Sequence, residues 1–251
     1  MAGHSKWANI KHKKAHVDAK RGAAFTKIVR LIVAAVKKGG PDPDMNPSLR
    51  LAVEKARSAN MPKDNIERAI KKAAGDGNAN SFEELVYEGY GKAGVAIIVE
   101  ALTDNKNRTT PEVRKIFEKA NGNLGEMGCV NWMFKKMAVI HFETKGQSED
   151  EIMEIALEIG ADDVESGDGM AEIKADSDSM IPLMDELRNK GFEPSGDVQN
   201  IPDTPMEVNV EDAKKVMTLM ERLEEHEDVQ SVFSSMVLSP EVEEQLMAEE
   251  S

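Results

Sequence analysis

The residues of this 251-residue chain best suited to chemistry are the cations of its first 38 positions, where ten Lys and Arg accompany one acidic residue, Asp18. Lysine and arginine contact nucleic-acid phosphates and release the counterions bound there. An indole among such cations can stack on an unpaired base. The candidate nucleic-acid contacts are Lys6, Trp7, Lys11, His12, Lys13, Lys14, Lys20, Arg21, Lys27 and Arg30.

The alternative interpretation of this basic run is a solvated, disordered tail, which is common for blocks of like charge. Here the run continues directly into a predicted basic helical bundle, and this continuity favours binding to a polyanion. The residue types do not distinguish DNA from RNA.

A second candidate contact is the loop between a predicted strand and a predicted helix, comprising Thr103, Asp104, Asn105, Arg108 and Thr109. Polar side chains at the positive N-terminal end of a helix can present donors to a phosphate. The same residue types also serve as capping residues in an ordinary connecting loop. The sequence favours neither interpretation.

Catalytic and cofactor sites find little support in the sequence. The letters Gly89-x-Gly91-x-x-Gly94 match a dinucleotide-binding pattern, but the predicted strand Val95–Val99 follows where that pattern requires a helix. His12 and His16 have the spacing of a zinc-protease helix, but Lys13 occupies the position of its catalytic Glu. No nucleophile and base pair emerges, so we expect a non-enzymatic protein with no catalytic residues, metal or cofactor.

Three amphipathic helices are predicted in the first 80 residues. Apolar side chains recur at helical spacing over Ala23–Lys38, which ends at a Gly pair. The second helix begins with Asn46-Pro47, and the third ends at Gly75. Short connections between such helices predict a small bundle.

The middle of the chain alternates strands and helices. Strands are predicted at Phe82–Tyr90, Val95–Leu102 and Cys129–Phe134. A helix is predicted over Thr109–Asn121, with Thr109 and Glu112 as a capping box. Residues 137–201 then follow the order β-α-β-β-α-β, which is typical of a ferredoxin-like domain. In this segment Ser148 and Glu151 are predicted to cap the first helix, and residues 166–169 to form a hairpin turn.

The last 50 residues contain a helix capped by Asn209, a strand at Val229–Val232 and an acidic helix that begins at Ser239-Pro240. One helix and one strand cannot form a core alone, so we expect them to complete the sheet begun at Phe82. The predicted class is a multi-domain α+β protein, with an N-terminal helical bundle followed by two α/β domains, one ferredoxin-like. The predicted segments are a basic helical domain (1–80), a discontinuous α/β domain (81–134 with 205–238), an inserted ferredoxin-like domain (135–204) and an acidic tail helix (239–251).

Charge is strongly segregated along the chain, although the net charge of −14 conceals it. Residues 1–80 hold 17 Lys and Arg against 7 Asp and Glu, whereas residues 144–251 hold 7 against 30. The single cysteine excludes an internal disulfide, and the longest apolar run, Leu31–Val36, is too short to span a bilayer. With no secretory signal, we expect a cytoplasmic protein that does not enter membranes.

Three stretches closely resemble the YebC family. The first begins with MAGHSKWANIKHKK and runs to Gly39-Gly40, the second is NPSLRLAVEKARSANMPKDNIERAIKKAAG, and the third is YEGYGKAGVAIIVEALTDNKNRT. The resemblance covers nearly the whole chain and is most specific in the first 125 residues. Lys6–Trp7 and Lys11–Lys14 match the basic start of the family, and Thr103–Thr109 matches its loop motif. One departure is Lys92-Ala93, where relatives often have Pro followed by Gly or Asn.

The resemblance implies a helical first domain, two α/β domains and a cytoplasmic protein without catalytic residues or cofactor. Bacterial members are described as probable transcriptional regulators, and mitochondrial relatives as translational activators of a cytochrome oxidase subunit. We therefore expect a nucleic-acid-binding regulator of gene expression, a DNA-binding transcriptional regulator by family. The alternative is a translation factor that binds ribosomal RNA or the ribosome and assists synthesis of proline-rich stretches. A basic, aromatic-bearing start suits irregular RNA at least as well as duplex DNA, and the oligomeric state stays open.

Overall fold

A computed structural model describes residues 18–75 and 82–249 of the chain. The described part is mixed α/β and contains eight α-helices and three sheets. The multi-domain α+β class predicted from the sequence is confirmed. The described residues of Ile28–Ala79 and Lys136–Asn200 form one compact unit, here called unit B. The described residues of Met1–Lys27, Asn80–Lys135 and Ile201–Ser251 form the other, here called unit A.

Three helices open the described chain: α1 (Asp18–Gly39), α2 (Pro47–Ser58) and α3 (Lys63–Gly75). The start of α2 shows why the sequence folds this way. Asn46 is its N-cap, and its buried side chain accepts from the backbone N–H of Leu49 at 3.1 Å and donates to the carbonyl of Ala35 at 2.8 Å. The same side chain thus caps one helix and holds it against the end of the preceding one.

Unit A is built on a four-stranded sheet with the order β3-β1-β2-β9. Its strands are β1 (Glu83–Tyr90), β2 (Ala96–Thr103), β3 (Asn123–Leu124) and β9 (Val229–Ser234), and β2 pairs antiparallel with both β1 and β9. Helices α4 (Lys106–Lys119) and α7 (Val210–Glu225) pack on one face around Val99, Phe117 and Val216. The strand at Val229 therefore completes the sheet that begins near Phe82.

The Gly-rich segment after β1 is a hairpin turn with one 3₁₀ turn, Lys92–Gly94, between β1 and β2. Strand β2 follows this turn, at the position where the dinucleotide-binding pattern requires a helix. Two successive residues of the turn, Ala93 (φ 59°) and Gly94 (φ 81°), have left-handed backbone conformations. In Ala93 this conformation is unfavourable, because the Cβ of an L-residue lies too close to the following carbonyl oxygen.

The rest of unit A consists of a parallel pair of short strands, β8 (Met206–Glu207) and β10 (Met236–Val237), and the terminal helix α8 (Pro240–Glu249). Asn209 caps α7 as the sequence predicts, accepting from the backbone N–H of Asp212 at 2.9 Å. The acidic helix α8 is not an isolated tail, because Leu246 is buried in the same core as Val216.

Unit B contains a second four-stranded sheet with the order β5-β6-β4-β7. In chain order its elements are β4 (Phe134–Glu143), α5 (Glu149–Ile159), β5 (Asp163–Gly167), β6 (Met170–Asp176), α6 (Met180–Asn189) and β7 (Ser195–Pro202). This is the predicted β-α-β-β-α-β order. Ser148 and Glu151 form the predicted capping box of α5, and Leu51 of α2 packs against the core of this sheet. The four segment boundaries stay a prediction.

Two local predictions are wrong. The helix predicted from Thr109 begins at Lys106, because Asn105 rather than Thr109 caps it and accepts from the backbone N–H of Arg108 at 3.2 Å. The strand predicted at Cys129–Phe134 is replaced by a 3₁₀ turn, Asn131–Met133, and β4 begins only at Phe134. The buried carboxylate of Glu88 binds backbone N–H groups of this segment and so removes them from any strand ladder.

Candidate nucleic-acid interface

Most of the predicted N-terminal contacts lie outside the described residues: Lys6, Trp7, Lys11, His12, Lys13 and Lys14. Lys20 and Arg21 lie in the first turn of α1, where the structure describes the backbone. Lys27 and Arg30 lie further along the same helix and are half-buried.

Lys27 already has an intramolecular partner. Its Nζ donates to the backbone carbonyl of Glu224 at 2.5 Å, in the last turn of α7. The last carbonyls of a helix lack intrahelical donors and carry partial negative charge, so a cation is favourable there. Arg30 also takes part in a polar or electrostatic interaction. The Lys27 side chain therefore contributes to the fold as well as to the charge of the segment.

The cations of α2 are paired within unit B. Arg50 Nη2 lies 2.7 Å from Asp185 Oδ2, and Lys55 Nζ lies 2.5 Å from Asp197 Oδ2. The basic surplus of the first 80 residues is therefore larger than the charge it presents to solvent, since part of it neutralises carboxylates of the acidic half.

Glu54, which is 4% exposed, joins this arrangement by binding two guanidinium groups. Its carboxylate accepts from Arg57 at 2.7 Å and from Arg188 at 2.6 Å. A buried carboxylate requires such partners, because an unpaired buried charge is strongly unfavourable.

Helix α3 presents an exposed basic face that is not evident from the sequence alone. Arg68, Lys71 and Lys72 are exposed at positions i, i+3 and i+4, opposite a buried face formed by Ile66 and Ala69. Lys71 Nζ lies 4.0 Å from Glu67 Oε2. Within the described part of the chain, no carboxylate lies within 4 Å of Arg68 or Lys72. The helical spacing of these cations gives a signal, but their exposure requires the structure.

The loop Thr103–Thr109 is organised by Asp228, a residue that the sequence analysis did not identify. Asp228 immediately precedes β9 in the chain and is fully buried. Its Oδ2 accepts from Thr109 Oγ1 at 2.6 Å, from Arg108 Nη2 at 2.7 Å and from Thr103 Oγ1 at 3.1 Å. Asp228 is remote in sequence from the loop, so no local pattern could have revealed it.

Hydrogen bonding sets the ionisation of this cluster. Burial raises the pKa of Asp228, but hydrogen bonds from Thr109, Arg108 and Thr103 outweigh it and hold the pKa below its usual value. The hydrogen bond to Asp228 in turn raises the pKa of Arg108. The cluster is therefore a charged pair at neutral pH.

The two threonines and the remaining loop residues have different surroundings. Thr103 and Thr109 are fully buried, and their hydroxyl groups lie 2.8 Å apart. They position the loop and do not face solvent. Asp104 and Asn105 are exposed, and Arg108 is partly exposed beside them. The side chains that can meet a ligand are therefore these last three.

A second ordered loop, residues 125–133, surrounds the carboxylate of Glu88. That carboxylate accepts backbone N–H groups from Gly128 at 2.7 Å, Val130 at 2.8 Å and Asn131 at 2.7 Å. A Cβ at Gly125 would lie 2.5 Å from the Sγ of Cys129, so the thiol would have to shift to admit one. Burial raises the pKa of that thiol, which packs beside Val130 and Phe233 as a core residue.

This loop carries two large apolar side chains into solvent. Met127 is 88% exposed and Trp132 is 73% exposed, although the indole Nε1 donates to the carbonyl of Cys129 at 3.1 Å. Lys135 follows on the exposed part of β4. An exposed indole can stack on a nucleobase. Trp132 gives no signal in the sequence, because nothing in its neighbours distinguishes an exposed tryptophan from a core one.

Two classes of site are not present in the described part of the chain. No group of three or more His, Cys, Asp or Glu side chains there is arranged to hold a metal ion. No helix there is both long and apolar enough to cross a bilayer.

Comparison with protein families gives two matches that together span most of the chain. Residues 5–76 match the TACO1/YebC protein N-terminal domain. Residues 82–236 match the TACO1/YebC second and third domain.

Similar individual proteins are named probable transcriptional regulatory proteins. One from Trichlorobacter lovleyi is 49% identical over 98% of this chain and 100% of its own length. One from Treponema denticola is 51% identical over 94% of this chain and 96% of its own. A crystal structure of a conserved hypothetical protein from Aquifex aeolicus is 44% identical, with a TM-score of 0.82 over 93% of this chain and 97% of that one.

Proposed function

Because this chain belongs to the TACO1/YebC family, we propose that it is a non-enzymatic regulator of gene expression that acts by binding nucleic acid. The observation that carries the proposal is the exposed basic face of α3, formed by Arg68, Lys71 and Lys72. This face belongs to the 80-residue segment that holds 17 of the 32 Lys and Arg. Cations clustered on one exposed helix face are the electrostatic feature of a polyanion-binding surface.

The proposed phosphate contacts fall in two groups, the N-terminal cations and the α3 face, and each is proposed by itself. Lys6, Lys11, Lys13, Lys14, Lys20 and Arg21 supply charge at the start of the chain, with Trp7 and His12 among them. Arg68 and Lys72 add cations that have no carboxylate within 4 Å in the described residues. Lys27 and Arg30 take a smaller part, since both have partners within the chain.

The level of regulation that the names of the relatives favour is transcription, with DNA as the partner. A distinct observation favours the second candidate, a translation factor that binds ribosomal RNA or the ribosome and assists synthesis through proline-rich stretches. Trp132 is 73% exposed on an ordered loop, and such an indole suits the unpaired bases of RNA better than stacked duplex DNA. In either case the proposed site of action is the cytoplasm.

One experiment separates the two candidates. The full chain is tested for co-sedimentation with ribosomes and for binding to duplex DNA at the same physiological salt concentration. Saturable ribosome binding with only sequence-independent DNA affinity selects translation, whereas a preferred DNA site selects transcription.

The contact surface is tested with a variant and a matched control. Charge reversal of Arg68 and Lys72 to Glu is expected to weaken whichever binding is observed. The control reverses Arg114 and Lys190, exposed or partly exposed cations outside the first 80 residues. Equal affinity of the two double variants for RNA and DNA would remove α3 from the interface, and absence of binding by the unaltered chain would refute the proposed function.

A further inference from the structure

Unit A contains a cationic pocket between the C-terminal end of α4 and one face of α7. The pocket has a volume of about 230 Å³. Lys119 and Asn121 line it from the α4 side, and Lys214, Lys215, Thr218 and Arg222 line it from α7. No lining residue is acidic. Four cations from two helices therefore converge on one concave surface.

This concentration of positive charge is unexpected for its part of the chain. Residues 144–251 contain only 7 Lys and Arg against 30 Asp and Glu, and three of those seven line the pocket. Cations placed for solubility alone would be interspersed with the surrounding carboxylates. In the pocket, Lys119 and Arg222 have no carboxylate within 4 Å among the described residues, and an anionic ligand would relieve the repulsion among the pocket cations.

The α7 residues share one face because their positions repeat at helical spacing. Lys214, Thr218 and Arg222 follow one another at intervals of four, and Lys215 lies beside them. The opposite face, with Val216 and Leu223, is buried in the core of unit A. The sheet and its helices therefore fix the direction of the cationic face.

Some polar side chains of the pocket have hydrogen-bond partners within the protein, and others do not. Lys215 Nζ lies 2.6 Å from Glu211 Oε1, and this hydrogen bond raises the pKa of Lys215. The hydroxyl of Thr218 donates to the carbonyl of Lys214 at 2.8 Å. Within the described residues, neither Lys119 nor Arg222 has a carboxylate within 4 Å. These two, with the amide of Asn121, are the donors left for a ligand.

We propose that the pocket between α4 and α7 binds a phosphate group, with Lys119 and Arg222 as its principal cationic contacts. Arg offers parallel N–H donors that match phosphate oxygens, and Lys adds a point charge. The volume of about 230 Å³ is many times the roughly 10–15 Å³ that a cavity needs to hold one water molecule, so it has room for a phosphate with its remaining waters. Two sources share this chemistry, a free phosphate or small phosphate ester and the backbone of a nucleic acid.

The test uses the full chain and the double variant K119Q/R222Q. The matched control is Arg114→Gln, an exposed cation of α4 that does not line the pocket. Inorganic phosphate binding is followed by ³¹P NMR titration, and binding of a single-stranded uridylate oligomer by fluorescence anisotropy over a range of salt concentrations. Circular dichroism melting verifies that all variants fold.

If free phosphate is the source, K119Q/R222Q weakens phosphate binding by about tenfold, as expected when two exposed cations are neutralised, and Arg114→Gln leaves it unchanged. If a nucleic-acid backbone is the source, only the oligomer affinity falls, and the slope of log K against log salt flattens by about 0.7 for each phosphate no longer neutralised. Either result supports the proposal, and equal behaviour of the double variant and the control with both probes overturns it.

A third variant distinguishes phosphate binding in the pocket from the nucleic-acid binding proposed above. Charge reversal of Lys11, Lys13 and Lys14 removes N-terminal charge and leaves all pocket residues in place. If this variant still binds phosphate and K119Q/R222Q does not, the phosphate is bound by the pocket and not by the N-terminal lysines.

Discussion

Arg108 and Asp228 are 120 positions apart in the chain, yet Arg108 Nη2 lies 2.7 Å from Asp228 Oδ2. This ion pair ties the start of α4 to the residue that precedes β9, and the hydroxyls of Thr103 and Thr109 complete the shell around the carboxylate. The loop is held by an internal anion, which fixes its shape before any ligand arrives.

Replacement of Asp228 by Ala is expected to lower the free energy of unfolding by about 3 kcal/mol. The substitution leaves the buried hydroxyls of Thr103 and Thr109 and the guanidinium of Arg108 without their common acceptor. Urea denaturation measures the change. Asp104→Ala, at an exposed carboxylate of the same loop, serves as control and is expected to change stability by less than about 0.5 kcal/mol. Equal destabilisation by the two substitutions would contradict the role assigned to Asp228.

Acid should remove the contribution of this carboxylate. The pKa of Asp228 lies below its usual value in the folded chain, because its hydrogen bonds outweigh the effect of burial. Its stabilisation is therefore complete above the ordinary aspartate pKa of about 3.9 and is lost as the pH falls through the lower folded value. We expect the difference in unfolding free energy between the unaltered chain and Asp228→Ala to be constant from pH 5 to 7 and to shrink below about pH 4. A difference that grew on acidification would reverse the assigned sign.

Ala93→Gly should stabilise the protein by about 0.5 to 1 kcal/mol. Ala93 has φ 59°, a conformation that costs an L-residue with a Cβ energy and costs glycine little. Thermal and urea unfolding measure the gain. The control is Ala24→Gly on the exposed, regular part of α1, where the same substitution should destabilise by about 0.5 to 1 kcal/mol. A decrease in stability for both variants would show that the turn does not strain Ala93.

Glu88→Gln should loosen the loop that presents Trp132. The amide of Gln has one oxygen and one NH₂ group, so it cannot accept from Gly128, Val130 and Asn131 as both carboxylate oxygens do. We expect local stability to fall by about 2 kcal/mol. The change is measured as faster hydrogen exchange of these three backbone amides. Glu126→Gln, at an exposed carboxylate of the same loop, should leave the exchange rates unchanged.

Charge reversal of Lys11, Lys13 and Lys14 should weaken nucleic-acid binding and flatten its salt dependence. If about five phosphates are bound, the slope of log K against log salt is roughly −3.5 to −4.5, and its magnitude falls by about 0.7 to 0.9 for each phosphate that the variant no longer neutralises. Anisotropy titrations at several salt concentrations measure the slope. Reversal of Arg114, Lys145 and Lys190 changes the net charge equally and should affect the slope much less. Identical slopes for the two triple variants would remove these lysines from the contact surface.

The sequence predicts those parts of the fold that local patterns determine. Ser148 and Asn209 cap helices where spacing alone placed them, and the turn at Asp168 and Gly169 forms a hairpin with both residues left-handed. The N-cap predicted at Thr109 is wrong because the hydroxyl of Thr109 binds the carboxylate of Asp228, 119 positions away in the chain. The competition between a local and a remote partner cannot be judged from the local sequence.

The candidate site is less predictable than the fold for the same physical reason. The count of basic residues does not reveal that Arg50 and Lys55 pair with Asp185 and Asp197, nor that Arg68 and Lys72 face solvent. Exposure and ion pairing depend on which elements pack together. A sequence pattern therefore locates the charge along the chain, whereas only the folded structure shows how much of that charge is exposed to solvent.

The pairs that join α2 to the acidic half have a consequence for any measurement made at different ionic strengths. Arg50, Asp185, Lys55 and Asp197 keep more than a quarter of their side-chain surface in contact with water, so mobile ions screen these pairs. Added salt is therefore expected to act twice, once on the proposed contact with nucleic acid and once on these ion pairs within the chain. A change in intracellular potassium would then weaken or strengthen both sets of contacts together.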